Sequence, residues 1–574
     1  MKRTTLTGRA MTTLLPILSA LLLAPLAALH AAVSKPTKPN IVIFIADDLS
    51  WYDVACFGGP TSARTPNLDR LASEGMKLTG FYNSATVCAP TRQALLTGLY
   101  PVRSGAYPNH SQVKPGTKSL PSYFKALGYR TACIGKTHFG PMECFPFDLL
   151  EIARDDKAAT KDRADGGGAD ADDGNIDLKA FEKFATQGDQ PFCAYLATHE
   201  PHGPFTKGDP SAHDPKSFVL PPYLPDTEVT RKQLQGYYAE IDVLDQQVGE
   251  VMRILERTGK ASNTFMLFVS EQGAGWPFSK WTLYNPGVHV AAIARWPGHI
   301  KPGSTNAALM QYEDVLPTIL AAAGADSSAV NTGCPDVAGN TGFDGRNALA
   351  ALLGKTDRHR DYVFGQNTML GINGVTSPYA SRMVCDGHWK LIVNYHTDSL
   401  FPHADFGLAH NWKIEGEKGN TFAASQYARQ AKHPATELYD LQTDPWELKN
   451  IADQPENKAL VVRLRTQLDV WLKQQGDDPM KTESEAYARQ PGHQKKAAVP
   501  SADVIEQRTK QFEQKNKNHD GKLSIEEFLG TDTDKTAKAR FNRWDTNNDG
   551  FLSLDEFISQ GKKQSPKEKD KDQP

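Results

Sequence analysis

Six consecutive residues without a polar member, Ile41-Val42-Ile43-Phe44-Ile45-Ala46, set the strongest constraint on this chain. A strand that does not alternate has no face to give to water, so it must be covered on both sides. Residues 131–134, 192–196 and 264–269 repeat the pattern, and helical spacing of apolar residues fills 67–74, 121–127 and 231–257 between these runs. Buried strands alternating with helices predict an α/β fold, a large mainly parallel sheet flanked by helices.

At 574 residues the chain is longer than one core organises. Lys2, Arg3 and Arg9 precede an apolar stretch over 14–29, followed by the small Ala31 and Ala32. That order predicts a signal peptide over 1–32 and a secreted or periplasmic protein. Pro16 and Pro25 interrupt the stretch, which is too short for a stable membrane span of about 20 residues. The α/β domain should occupy 33–375, with the Asp/Ala/Gly-rich stretch 155–175 as a surface insertion. A smaller antiparallel subdomain is expected over 376–475. There Asp386-Gly387 predicts a hairpin, and Leu460, Leu464, Leu468 and Trp471 form the stripe of a packed helix over 457–474. The polar stretch 476–500 reads as a linker, 501–560 as a small all-α module, and 561–574 as a disordered tail. With 64 basic and 67 acidic side chains the net charge is -3, which offers no general surface for nucleic acid.

Chemistry in open α/β sheets gathers at the carboxyl ends of strands. Asp47-Asp48 directly follows the first buried strand, and Glu271-Gln272 follows the last. Oxygen donors without Cys or His suit a hard cation, calcium ahead of magnesium. In Cys88-Ala89-Pro90-Thr91-Arg92, Pro90 suits the first turn of a helix that Gly98 stops. Cys88 then sits at a helix N-terminus, where backbone N–H groups favour an anion, with Arg92 one turn on.

Two loops near the C-terminus have EF-hand spacing, with oxygen donors at positions 1, 3 and 5, Gly at 6 and Glu at 12. The first offers Asn516, Asn518, Asp520, Lys522 through its carbonyl, and Glu527; the second offers Asp545, Asn547, Asp549, Phe551 through its carbonyl, and Glu556. Phe512, Phe528, Phe541 and Phe557 flank them as helix anchors. Asn516 removes a charge and predicts weaker calcium binding in the first loop. A structural or docking role, with a docking partner, is favoured over a sensor.

The segment Cys88–Arg92, followed by Leu95-Leu96-Thr97-Gly98, resembles the C-x-P-[ST]-R signature of type I sulfatases of the alkaline phosphatase superfamily. Further resemblances follow in family order: residues 40–48, Thr65-Pro66-Asn67-Leu68-Asp69, Gly135-Lys136-Thr137-His138-Phe139-Gly140, and His199-Glu200-Pro201-His202. Lys280-Trp281-Thr282-Leu283-Tyr284, Trp296-Pro297-Gly298 and the run from Glu437 to Asn450 complete the likeness, which spans about 38–475.

The resemblance implies that a maturation enzyme converts Cys88 to formylglycine, whose hydrated form attacks the sulfur of a sulfate ester and later releases sulfate. It implies a cation held by Asp47, Asp48, residue 88, Glu271 and Gln272. It implies that Arg92 holds the diol, that Lys136 binds the modified residue or sulfate, and that His138 takes a proton from it. His202 and Lys280 would contact sulfate and the leaving oxygen, while His199 shapes the loop. The chain departs from the family at Glu271-Gln272, where Asp and then Asn, His or Gln are usual. It departs again at Trp281, where Gly is common, and at Asn285-Pro286, where Glu-Gly is common. The expected substrate is a sulfated carbohydrate, and residues 276–284 resemble the sulfamidase branch, which brings in N-sulfate. A phosphonate or phosphodiester hydrolase of the same superfamily and a non-catalytic calcium-dependent glycan-binding protein stand as alternatives. If Cys88 is modified, Cys56, Cys133, Cys144, Cys193, Cys334 and Cys385 remain, and the apolar settings of Cys133 and Cys193 favour free thiols at least as much as bridges.

Overall fold

A computed structural model describes residue 1 and residues 38–149, 176–372, 375–491, 502–530, 535–545, 550–554 and 557. The expected signal segment beyond Met1, the insertion 155–175 and the tail 561–574 lie outside them. The chain divides into Met1–Lys38 and Pro39–Pro574, and the second unit carries the fold.

Its centre is an eight-stranded sheet. In chain order the strands are β1 (Asn40–Ala46), β2 (Met76–Leu78), β4 (Arg130–Gly135), β5 (Asp148–Leu149), β6 (Phe192–Ala197), β7 (Thr264–Ser270), β8 (Ala292–Arg295) and β9 (Ser304–Asn306). A separate parallel pair is β3 (Phe81–Tyr82) with β10 (Met310–Gln311). The large sheet runs β5-β4-β6-β1-β7-β8-β2-β9, and only β8 is antiparallel to its neighbours. The unbroken apolar run of β1 is explained directly. Val42, Phe44 and Ala46 enter a core with the helices Pro66–Glu74, Leu178–Thr186 and Glu228–Arg257, through residues such as Leu68, Phe181 and Leu244. Ile41, Ile43 and Ile45 enter a second core with the helices Cys88–Thr97, Leu120–Ala126 and Val315–Ala322, through Leu95, Phe124 and Ile319.

A four-stranded antiparallel sheet follows: β11 (Val363–Thr368), β12 (Ala380–Cys385), β13 (Trp389–Asn394) and β14 (Thr436–Asp440). It begins before the expected boundary at 376, because β11 pairs with β12 along its whole length. Gly387, at φ +88°, and His388 turn the β12–β13 hairpin, and Asp386 accepts from the His388 and Trp389 amides. Leu464, Leu468, Trp471 and Leu472 of the helix Lys458–Gln475 pack on Val384, Leu391 and Leu438 of this sheet. Between β13 and β14 stands a helical pair absent from the sequence reading, Leu408–Glu417 and Thr421–Ala431, with Trp412 fully buried.

The stretch 476–500 is not a linker over its described part. It forms helices Pro479–Ser484 and Ala486–Arg489, which act as a strap. Asp477 makes a buried double ion pair with Arg382 (2.5 and 3.0 Å). Glu483 accepts from the amides of Met369, Leu370 and Tyr379. The polar composition that suggests a linker is instead spent on buried backbone groups, each costly to leave unpaired.

Farther on, helices Ala502–Lys515, Ile525–Leu529 and Lys535–Trp544 accompany a short antiparallel ladder, β15 (Lys522–Leu523) with β16 (Leu552–Ser553). Phe512, Leu523, Phe528, Phe541, Leu552 and Phe557 form its apolar cluster. Asn547, Asp549 and Glu556 lie outside the described residues. No disulfide joins any of the seven cysteines, and all but Cys56 are buried.

Candidate active site

Four neighbouring strands, β4, β6, β1 and β7, end at the same edge, and their next residues carry the site. Three amides stitch these ends together: Asp47 N donates to Glu200 O (3.0 Å), Glu271 N to Ala46 O (2.9 Å) and Lys136 N to Ala197 O (2.8 Å). Gly135 makes the last contact feasible. It sits at φ +95°, and a Cβ there would lie 2.1 Å from Ala197 O, so the residue before Lys136 has to be glycine.

Cys88 opens the helix Cys88–Thr97, all ten of whose residues are buried. Its Sγ lies 3.6 Å from Asp47 Oδ1 and 3.6 Å from Gln272 Nε2. Burial, with Asp47 and Glu271 beside it, pushes the thiol well above its ordinary range, so an unmodified Cys88 stays protonated and weakly nucleophilic. Ligand atoms of Asp47, Asp48, Cys88 and His202 fall within 4.8 Å of one another. Three cations converge on the same carboxylates. Lys136 Nζ is 2.6 Å from Asp47 Oδ2, Lys280 Nζ is 2.7 Å from Asp48 Oδ2, and Arg92 Nη2 is 3.5 Å from Asp47 Oδ2. Burial alone would raise Asp47; Lys136 first, with Glu271, His202 and Arg92, holds it well below the usual carboxylate range. Burial opposes charge on Lys136 and Lys280 too, yet Asp47 and Asp48 keep both charged, above the usual lysine range.

Arg92 and Glu271 meet in the floor of the site. Arg92 is fully buried and donates to both Glu271 oxygens (2.9 and 3.2 Å) and to the Tyr195 hydroxyl (3.4 Å). The extra methylene of Glu271 carries its carboxylate onto the guanidinium, and Glu271 is not among the converging ligand groups. Burial and Asp47 push its carboxyl well above the usual range, against the pull of Arg92. Gln272 stays close, donating to Asp48 Oδ1 (2.6 Å), while its own Oε1 is buried without a partner. His202 Nδ1 donates to Gly203 O (2.6 Å), which leaves the Nε2 lone pair facing Asp48 Oδ2 at 3.5 Å. An orphaned amide oxygen, two carboxylates and a lone pair aimed at one of them form a donor set that a divalent cation satisfies.

His138 lies at φ +45° and Asp48 at φ +59°, backbone states that cost a side-chain-bearing residue about 1–3 kcal/mol each. Burial, with Lys136 and His110 nearby, holds His138 well below the usual histidine range, so it is a neutral imidazole. His199 packs on His202 with ring centroids 4.8 Å apart, and burial lowers it to about 4. Trp281 explains why glycine is common at its position. It sits at φ +65°, with its ring 4.4 Å from His403 and 5.6 Å from the half-exposed Phe406. The loop that carries Lys280 is held by the unforeseen helical pair, where Gln430 Oε1 accepts from Phe278 N (3.2 Å). Sequence reasoning also missed Asn109 and His110, which lie beside His138 in a loop whose only signal is the polar run after Pro108.

The sulfatase family model matches residues 39–325. An ulvan-active sulfatase of Formosa agariphila is 30% identical over 449 residues, covering 78% of this chain and 82% of the relative. The N-sulphoglucosamine sulphohydrolase of Homo sapiens is 28% identical over 468 residues, covering 75% and 89%. A solved protein in complex with its substrate D-glucosamine-2-N,6-O-disulfate shares the fold, with a TM-score of 0.56 at 19% identity over 77% of this chain and 99% of that one. The chain therefore belongs to the sulfatase family, in the alkaline phosphatase-like fold, and is a sulfuric ester hydrolase.

Proposed function

We propose that the chain is exported and hydrolyses sulfate groups, O-linked or N-linked, on a sulfated carbohydrate, using formylglycine made from Cys88 and a bound calcium ion. The observation that carries this reading is the convergence of Arg92, Lys136 and Lys280 on the buried Asp47–Asp48–Cys88–His202 cluster. A dry site that holds three fixed cations is built for a tetrahedral anion. The names of the two relatives, one ulvan-active and one acting on N-sulphoglucosamine, support a sulfated carbohydrate and include N-sulfate.

When present, formylglycine supplies two hydroxyls on one carbon and the cation supplies charge to acidify them. Asp47, Asp48 and Gln272 would hold the cation, with residue 88 at its edge. Lys136 neutralises charge next to residue 88, and Arg92 fixes Glu271 and Asp47 beneath it. His138, neutral and with Nδ1 unbonded, accepts a proton there. Lys280 and His202 both approach Asp48 Oδ2, and from there they bracket the leaving oxygen. His202, with a quarter of its side chain exposed, marks the open side through which the sugar enters.

The C-terminal module fits a calcium-binding EF-hand pair. The β15–β16 ladder joins its two loops, and Asn516, at position 1 of the first loop, has a buried Oδ1 without a partner. A structural or docking role for it follows from the weak first loop.

Turnover of an aryl sulfate against an aryl phosphate tests the reaction class; preference for the phosphate overturns it. Sulfated-glycan panels then name the sugar. Mass measurement of the residue-88 peptide should show a thiol replaced by an aldehyde. Chelation should abolish turnover, and calcium should restore it better than magnesium.

A further inference from the structure

A chain of polar contacts starts at His138 Nε2. His138 Nε2 lies 3.0 Å from His110 Nδ1, and Asn109 Nδ2 lies 3.0 Å from His110 Nε2. The two rings are tilted by 41° with centroids 4.8 Å apart. Asn109 Oδ1 and His138 Nδ1 are both buried without a hydrogen bond. His110, like His138, is at positive φ (+55° and +45°), so both ends of this contact are held against backbone preference.

The loop that carries the pair is anchored from two directions. Gln93, next to Arg92 in the helix that Cys88 opens, donates to Ser111 O (2.9 Å) and accepts from Val113 N (3.2 Å) and Gly140 N (3.3 Å). It thereby ties the His110 loop to the His138 loop. From the strap, Arg489 donates to Gly105 O (2.7 Å) and Gln112 O (3.0 Å), and Gln490 donates to Asn109 O (2.9 Å).

With both rings neutral each imidazole carries one N–H, and this row of contacts then has two self-consistent registers. In one, Asn109 donates to His110, His110 donates to His138, and the proton of His138 is left on Nδ1. In the other, the Asn109 amide is turned so that Oδ1 faces the ring, a rotation that exchanges atoms of similar size. His138 Nε2–H then donates to His110 Nδ1, and His110 Nε2–H donates to Asn109 Oδ1. Only the second leaves a lone pair on His138 Nδ1.

We propose that Asn109 and His110 are positioning residues that hold His138 in its Nε2–H tautomer, leaving Nδ1 bare to receive the proton of the residue-88 nucleophile. The inference rests on the reading of His138 as that proton acceptor. His110 touches no reacting atom; it acts by fixing the ring and the proton of its neighbour.

The test combines nitrogen-15 histidine spectra of the full-length enzyme, with His138 assigned by its loss in His138→Ala, and kcat and KM on an aryl sulfate. The wild type should show His138 protonated at Nε2. Asn109→Asp, whose carboxylate offers only acceptors to His110 Nε2–H, should keep more of that tautomer and of kcat than Asn109→Leu. Asn109→Leu and His110→Phe should release His138 to mixed tautomers and lower kcat about 10²-fold with KM nearly unchanged. His110→Gln, which offers an amide oxygen to Nε2–H, should recover part of the loss. The Asn109 pair leaves both rings in place and decides the matter if His110→Phe does not fold. A wild-type His138 protonated at Nδ1, or a His138 signal and kcat that do not respond to Asn109→Leu, overturns the relay. Retained turnover in His138→Ala overturns the proton-acceptor reading instead, since the spectra do not depend on turnover.

Discussion

Replacing Arg92 by Met tests the electrostatic logic of the site most directly. Arg92, Asp47 and Glu271 have no exposed side-chain surface, so water cannot take over when the guanidinium goes. Two hydrogen bonds to Glu271 and the approach to Asp47 are lost together. Lys136 still compensates Asp47 at 2.6 Å, but the Glu271 carboxyl, already pushed up by burial, keeps its proton and loses the two donors that satisfied its oxygens. A buried polar group left without its partners costs about 1–3 kcal/mol. Arg92→Met should lower stability by at least that amount, read from denaturant midpoints at pH 7 with chelator present. Adding Glu271→Leu removes the stranded polar group and should restore about 1 kcal/mol or more. Turnover should behave differently: about 10²–10³-fold lower in Arg92→Met and not recovered in the double variant, because the cation beneath residue 88 is still missing. A single variant within about 1 kcal/mol of the parent, or a second substitution that restores nothing, would refute the reasoning.

Lys280→Ala should lower kcat/KM about 10²–10³-fold by removing the cation 2.7 Å from Asp48, measured on the same aryl sulfate. Glu313 is buried, accepts from Ser84, and is pushed by that burial to about 8. The native state therefore keeps a proton that the unfolded chain releases from about pH 4.5 upward. This contribution to stability is complete below that pH and is lost as pH rises towards 8. Glu313→Gln should consequently gain stability over the parent between pH 5 and pH 8, by at most about 5 kcal/mol, in paired denaturation curves. Truncation after Gln490 should leave the melting transition of the sulfatase unit and its turnover in place. Truncation after Gln475 should abolish both, because Asp477, Glu483, Arg489 and Gln490 are lost together.

The strands and the nucleophile helix are legible in the sequence because their constraints are local. Ile41–Ala46 has no polar residue to expose, and Cys88, Pro90 and Gly98 mark one helix at both ends. The ends of β4, β6, β1 and β7 then gather Lys136, His202, Asp47 and Gln272 as the sheet topology requires. What escapes is decided by distant partners. Leu408–Glu417 has no strong apolar stripe, and the burial of Leu408, Ala409 and Trp412 gives it a place. Glu483 reads as one more exposed acid in a polar stretch until three amides more than a hundred residues away in sequence close on it. Asn109 and His110 have no motif, since their meaning lies in a ring nitrogen of His138. Glu271 reads as a metal ligand by position, and its pairing with Arg92, 179 residues away in sequence, is not visible there.

The strap has a consequence for the order in which the protein becomes active. Gln490 and Asn109 are separated by 381 residues, and Arg489 and Gly105 by 384. On a ribosome, the carboxylates, the nucleophile helix and every basic group of the site emerge first. The loop beside His138 then waits for the final turns of the unit before it is clamped. A polypeptide halted between Lys280 and the strap holds all the chemistry and lacks the brace, so competence arrives in one late step, after the whole sulfatase unit has been made.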